Sequence, residues 1–266
     1  MFGFNFNQLD YKTIEEKLVN FIRLKAGNQK IVMGLSGGID SSVSCYLATK
    51  ALGKENVKVV IINNTQFSKE GIEVARAYAT KIGVVVQEVN SENIRDILLK
   101  NIGANNPDLI LQATVDVRLC DLIIRTIAQI EGRLYMGTIN GTERLVGWYP
   151  KATLVGDFDP IGGLVKHQLK GLANYLGLED LAEGVSKDAS IVCGGCGELP
   201  EFRGMPYQKL DEILYLYETV PSEELTSVLE KNNIEKRHLD LVTNRINSVQ
   251  HKNDVFPEYC QVNIKQ

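Results

Sequence analysis

Residues 30–42, KIVMGLSGGIDSS, constrain the fold more than any other stretch: a buried apolar run ends on glycine and passes directly into helical spacing. A strand that turns on glycine into a helix N-terminus gathers successive backbone N–H groups around one point, and that geometry binds anions. Gly34 closes the strand, and Gly37 and Gly38 let the backbone approach an oxyanion. Ser36, Ser41 and Ser42 add hydroxyl donors, and Asp40 brings a carboxylate where Mg²⁺ on a polyphosphate needs one. The Walker A pattern GxxxxGK[ST] has no match here. The plainer reading of the same residues is a glycine-rich turn with a Ser or Asp helix cap.

Around this turn, short apolar runs alternate with longer stretches of helical period, the pattern of βαβ units. Strands are expected at 30–35, 57–62, 84–89 and 134–137, and helices at 10–24, 39–52, 69–82, 109–130, 139–151 and 164–176, with a turn-rich segment at 152–163. Residues 183–206, rich in Gly, Ser and Cys, read as a long loop, and three helices close the chain. The fold class that follows is α/β, an open parallel sheet with helices on both faces, and residues 1–266 are expected to form one domain. With 44% hydrophobic and 23% charged residues over 266 positions, the chain can bury a sizeable core and is not disordered. Lys plus Arg number 29 against 33 for Asp plus Glu, so no basic field marks a duplex-DNA binder. No apolar run reaches the roughly 18 residues that span a bilayer, and acidic residues interrupt the start, so a soluble cytoplasmic protein with no membrane partner is expected.

The SGGxDS loop after a buried strand resembles the pyrophosphate-binding loop of the ATP pyrophosphatase superfamily, whose members cleave ATP between the α and β phosphates. Further along, Thr138 to Glu143 in GTINGTE, then Leu145, Val146, Gly147 and Lys151, resemble the ordered motifs of ammonia-dependent NAD synthetases. Asp157, Pro160, Ile161 and Lys166 continue the match, as do Val249, Gln250, His251 and Lys252. The resemblance implies a Rossmann-like fold of the adenine nucleotide alpha hydrolase kind and a ligase that forms a carbon–nitrogen bond. It implies that ammonia amidates nicotinic acid adenine dinucleotide through an adenylate, with ATP and Mg²⁺ as cofactors and AMP and pyrophosphate as products. A homodimer is implied as well. By the same resemblance Asp40 and Glu143 hold Mg²⁺, and Lys166 and Ser190 contact the phosphates and stabilise charge in the transition state, so that Asp40, Lys166 and Ser190 form the catalytic set. Thr138 lies at the nucleotide, and Arg118, Asn140, Lys151, Asp157, His251 and Lys252 face the acceptor. Taken without the loop, Lys166 reads equally as a solvated helix residue, Glu143 as a surface carboxylate and Thr138 as a cap.

Three departures from that family fall on the acceptor side. Arg118 matches the first arginine of an ARxR helix motif, but Cys120 stands in the place of the second, and a thiol supplies no bidentate fork. After Lys151 the chain reads ATLVGDFDP where the family has a KYGDG segment, and IVCGGCGELPEFRG follows Ser190 in place of a DExxLG stretch. Five cysteines are too few for a disulfide scaffold. Cys120, Cys193 and Cys196 make a rival reading: three thiolates holding a [4Fe-4S] cluster, as in superfamily relatives that put sulfur into tRNA, which would make the chain a sulfur transferase acting on a nucleic acid or a small molecule. A zinc site, a loop disulfide or inert thiols are the blander alternatives. A third reading is a non-catalytic nucleotide-binding protein. Phe4, Phe6, Tyr11 and Phe21 read as packing or as a subunit contact, and an exposed apolar face on the opening helices would suit a dimer.

Overall fold

The computed structural model describes residues 6, 9–63, 69–180, 198–199, 202 and 204–253. Four strands, β1 (Ile31–Gly34), β2 (Val57–Asn63), β3 (Val85–Asn90) and β4 (Leu134–Tyr135), form a parallel sheet in the order β3-β2-β1-β4. The chain steps outward from β1 through β2 to β3 and then returns to place β4 on the other side of β1. The order reverses between β1 and β4, and in open α/β sheets a crevice forms at such a point, beyond the strand C-termini. The glycine turn follows β1 and residues Gly137 to Asn140 follow β4, so both approach the same crevice.

Alternation along the strands assigns the two faces. Ile31, Met33, Val59 and Ile61 point to one side and pack with α1 (Tyr11–Ala26), α2 (Ile39–Leu52), α3 (Lys69–Ile82) and α7 (Lys166–Tyr175). Val32, Val60, Ile62 and Tyr135 point to the other and meet Cys120, Ile124, Ile127 and Ala128 of α5 (Leu109–Glu131). Asp10 caps α1 by accepting from Thr13 N at 3.1 Å, and Asp108 caps α5 by accepting from Leu111 N at 2.7 Å. The open parallel sheet with helices on both faces is as expected from the sequence.

Several details differ from the sequence expectation. A helix that the sequence pattern did not mark, α4 (Glu92–Asn101), follows β3. The helix expected at 139–151 is only α6 (Gly141–Val146), because Gly147 takes φ +68° and ends it. Strand pairing near β4 is extended by a parallel bridge from Met136 to Phe158. Within the expected 183–206 loop, β5 (Glu198–Leu199) pairs antiparallel with β6 (Met205–Pro206). The three closing helices are α8 (Tyr207–Thr219), α9 (Ser222–Lys231) and α10 (Lys236–Asn253), which pack with Leu145, Val146 and Val165 in a second apolar cluster.

On the opening helix Leu24 is exposed, while the aromatic residues at its start turn inward. Phe6 and Tyr11 are buried, and the Tyr11 hydroxyl donates to the Phe6 carbonyl at 2.7 Å. Further exposed large apolar side chains lie on α4 and α5, among them Ile94, Ile97, Leu98, Ile110 and Leu122. No helix among the described residues is long and apolar enough to cross a membrane.

Candidate active site

The glycine turn is held in a shape that other residues cannot take. Gly37 has φ +82°, and a Cβ on it would lie 2.1 Å from the Gly71 carbonyl oxygen in the first turn of α3. The serines satisfy the loop's own donors: Ser36 N donates to Ser41 Oγ at 3.1 Å, Gly38 N to Ser36 Oγ at 3.3 Å, and the two hydroxyls lie 3.1 Å apart. Hydroxyl and N–H groups gathered in this way can re-pair with phosphate oxygens. Ser42 is different, since it is fully buried beneath the turn with its carbonyl accepting from the Tyr78 hydroxyl at 3.0 Å. Gly34 lies close against Ile124 of α5, so its role is tight strand–helix packing.

Asp40, in the first turn of α2, has both carboxylate oxygens engaged. Lys166 Nζ donates to Oδ2 at 2.5 Å and Asn140 Nδ2 to Oδ1 at 2.9 Å. Asn140 is the N-cap of α6: its Oδ1 accepts from Glu143 N at 2.9 Å, while Glu143 Oε2 accepts from Asn140 N at 3.2 Å. One buried asparagine therefore connects both carboxylates assigned to Mg²⁺, and it does so at the end of β4 beside the glycine turn. Thr138 is half-buried two residues before it. Asn140 thus stands beside the glycine turn.

The far end of α6 is held by α10. Arg245 Nε donates to the Val146 carbonyl at 2.8 Å, and Lys252 Nζ donates to the carbonyls of Gly147 and Tyr149 at 2.7 and 3.1 Å. Lys252 therefore ties α10 to the segment that follows α6, and burial lowers its pKa. His251 is exposed, with Nδ1 3.1 Å from the Ser248 carbonyl, and touches no other site residue.

Beside the sheet, α5 grips the turn that follows Lys151. Arg118, exposed on α5, donates to Thr153 Oγ1 at 3.4 Å, Asp121 Oδ1 accepts from Leu154 N at 2.8 Å, and Arg125 reaches the Val155 carbonyl. Ala152 and Leu154 both take positive φ in this turn, at 59° and 62°. Arg118 and the half-buried Lys151 are thereby brought to the same turn. Asp157 is not free for a ligand in the same sense, because its Oδ2 accepts from Tyr135 N at 2.8 Å and its N–H donates to Tyr135 O at 2.7 Å. Asp157 is thereby an edge partner for β4.

A residue that sequence reasoning missed is Asp159. Its Oδ2 accepts from Ile139 N at 3.2 Å, directly before Asn140, and burial pushes the carboxyl up to about 7, with the nearby Asp40 charge adding to the shift. Its Oδ1 is buried with no hydrogen-bond partner among the described residues. Only its place within the DxxPI stretch hinted at it.

Cys120 faces the sheet, not the crevice. It is 6% exposed in the apolar cluster with Val32, Val60 and Tyr135, and burial raises the thiol to about 12. This removes one of the three ligands from the iron–sulfur reading. Ser190, Cys193 and Cys196 lie outside the described residues. Among the described residues no three His, Cys, Asp or Glu side chains are grouped as a metal site.

A family profile described as NAD synthase matches residues 11–255. The chain belongs to the NAD synthase family. Curated relatives agree: the NH(3)-dependent NAD(+) synthetase of Chlorobium phaeobacteroides is 36% identical over 226 residues, covering 78% of this chain and 75% of the relative. That of Methanosarcina mazei is 29% identical over 255 residues, covering 94% and 98%. The solved NH3-dependent NAD synthetase of Campylobacter jejuni, in complex with the nitrate ion, has a TM-score of 0.77 at 26% identity and covers 95% of this chain and 100% of its own. NAD synthase chemistry is ATP-dependent ligation with formation of a carbon–nitrogen bond, so the sulfur-transferase and non-catalytic readings are set aside.

Proposed function

We propose that this NAD synthase family member transfers ammonia nitrogen to the nicotinate carboxylate of nicotinic acid adenine dinucleotide, using the Asp40, Asn140 and Lys166 cluster at the ATP phosphates. The observation that carries the assignment is that cluster itself: an ammonium, an amide and a carboxylate from three separate segments meet beside an anion-binding turn. The substrate carboxylate attacks the α-phosphorus, the bond to the bridging oxygen breaks and pyrophosphate leaves. Ammonia then adds to the acyl carbon, loses a proton to solvent, and AMP departs. Lys166 offsets negative charge that builds on the phosphates in the first step, and the N–H groups of the glycine turn receive the leaving pyrophosphate.

ATP and Mg²⁺ serve the NAD synthases generally. Asp40 and Glu143 are hard oxygen donors linked through Asn140, which fits a cation held by one or two carboxylates and substrate phosphates. When bound there, Mg²⁺ neutralises phosphate charge; Asp40 and Glu143 would hold it. Arg118 and Lys151 are proposed to meet the acceptor, the single arginine standing where the resembled family has a pair. Ser190 keeps its proposed phosphate contact on sequence resemblance alone. The exposed apolar residues of α4 and α5 support a homodimer through that face. The ties of α6 to both the sheet side and the closing helices support one domain.

The test is direct assay of purified protein with ATP, Mg²⁺, ammonium and the deamido dinucleotide. Stoichiometric pyrophosphate and NAD⁺ are expected, and Asp40→Ala should abolish both. Pyrophosphate without NAD⁺ would refute the dinucleotide as acceptor while keeping the adenylation step.

A further inference from the structure

Lys166 is the first residue of α7, and the cap position before it, Val165, has no polar side-chain atom to receive the helix's unpaired N–H groups. Those groups find acceptors on two other helices. Lys166 N donates to Thr142 Oγ1 of α6 at 2.9 Å, and His167 N donates to Asp211 Oδ2 of α8 at 2.8 Å. The Thr142 hydroxyl in turn donates to Asp211 Oδ1 at 2.6 Å, and His167 Nδ1 lies 2.6 Å from Asp211 Oδ2. With Asp211 as the acceptor, that ring nitrogen carries the proton. Thr142 and Asp211 are both fully buried.

One carboxylate from the closing helices therefore ties down the first turn of α7, and the other end of that turn is the ammonium on Asp40. An apolar contact would hold three helices together without the desolvation that a buried carboxylate entails. What apolar packing cannot do is fix the direction of two N–H vectors, and so the rotation of the helix that carries Lys166. Phe6, stacked on the His167 ring at a centroid distance of 5.8 Å, keeps that ring on the carboxylate.

We propose that Asp211, acting through Thr142 and His167, is a positioning residue that sets the place of the Lys166 ammonium. This rests on the reading of Lys166 as the group that faces phosphate, so the test separates the two. Thr142→Val removes the hydroxyl link with little change of shape, Thr142→Ser restores it, and Asp211→Asn keeps the volume while losing an acceptor. Two readouts are taken on folded protein: kcat and KM for ATP in pyrophosphate release, and the rate at which Lys166 of the substrate-free enzyme is acetylated in a brief acetic anhydride pulse, followed by mass spectrometry.

Thr142→Val is expected to lower kcat by about tenfold to a hundredfold with little change in KM, as a misplacement near 1 Å does. Lys166 labelling should speed up severalfold, and Thr142→Ser should return both to the wild-type values. Asp211→Asn should move both readouts in the same direction as Thr142→Val. Faster labelling with unchanged kcat would uphold the positioning and overturn the catalytic reading of Lys166. Unchanged labelling in folded Thr142→Val and Asp211→Asn would overturn the positioning proposal whatever happens to turnover, since a merely structural role changes thermal stability alone.

Discussion

Lys166 Nζ donates to Asp40 Oδ2 at 2.5 Å across 126 positions of sequence, and the pair is largely shielded from solvent. Phosphate can compete for such an ammonium because its own charge is larger. Lys166→Ala is expected to slow pyrophosphate release by about 10²- to 10³-fold, the range seen when one transition-state donor is lost. Measured turnover within twofold of wild type would remove Lys166 from the mechanism.

Asn140 both caps α6 and holds Asp40, and two substitutions separate the roles. Asn140→Ala should lose about 1 kcal/mol of stability with the cap, read from urea unfolding, and should also lose activity. Asn140→Ser retains a good cap but gives up the amide's contact with Asp40, so stability should be nearly kept while turnover falls. Equal activity in Asn140→Ser and wild type would show that the amide's contact with Asp40 is dispensable.

Gly37→Ala should be far more damaging than Gly38→Ala to the free protein. At Gly37 the added Cβ meets the Gly71 carbonyl at 2.1 Å in a left-handed backbone, whereas at Gly38 the nearest atom is Ser36 Oγ at 3.4 Å. Backbone strain of about 1–3 kcal/mol plus the collision should displace the turn and abolish ATP binding in calorimetry. Wild-type affinity in Gly37→Ala would contradict the tight seating of the turn on α3.

Asp159 makes stability depend on pH in an unusual direction for a carboxyl. Its folded value, about 7, lies above the ordinary 3.8, so the folded chain binds more protons than the unfolded chain between those limits. This group's contribution is fully present below about pH 4 and is lost as pH rises through about 7. Asp159→Asn should remove that loss, so its melting temperature relative to wild type should be higher at pH 8 than at pH 5.5. A difference independent of pH would mean that Asp159 is ionised throughout.

Cys120 packs against the sheet opposite the crevice, and its thiol is raised to about 12. Cys120→Ala should cost about 1 kcal/mol for the lost volume and leave turnover unchanged. Protein purified without oxygen should carry no iron that depends on this residue. Iron lost on Cys120→Ala would reopen the cluster reading.

The local features were legible without coordinates. Glycine turn chemistry and the 3.6-residue period mark α2 and α3 at the bounds the structure gives them, and the buried strands stand out as apolar runs, because neighbours in sequence decide those preferences. Residues 92–101 form a helix whose apolar residues Ile94, Ile97 and Leu98 recur at helical spacing after Ser91, but those side chains are exposed, so the stripe does not mark a core face. The phosphate-side residues were visible as motifs, but their partners were not. That Asn140 joins Asp40 to Glu143, that Lys252 binds the carbonyls after α6, and that Asp211 holds α7 all depend on segments far apart in the chain. So does the burial of Cys120, which follows from the face α5 turns to β1 and β4. Sequence by itself determined the alternation of the sheet strands with α1, α2, α3 and α5 and the chemistry of the turn, through local sterics and hydrogen bonding. Tertiary structure alone decided which side chains meet, because burial and directional hydrogen bonds are set by how the layers pack.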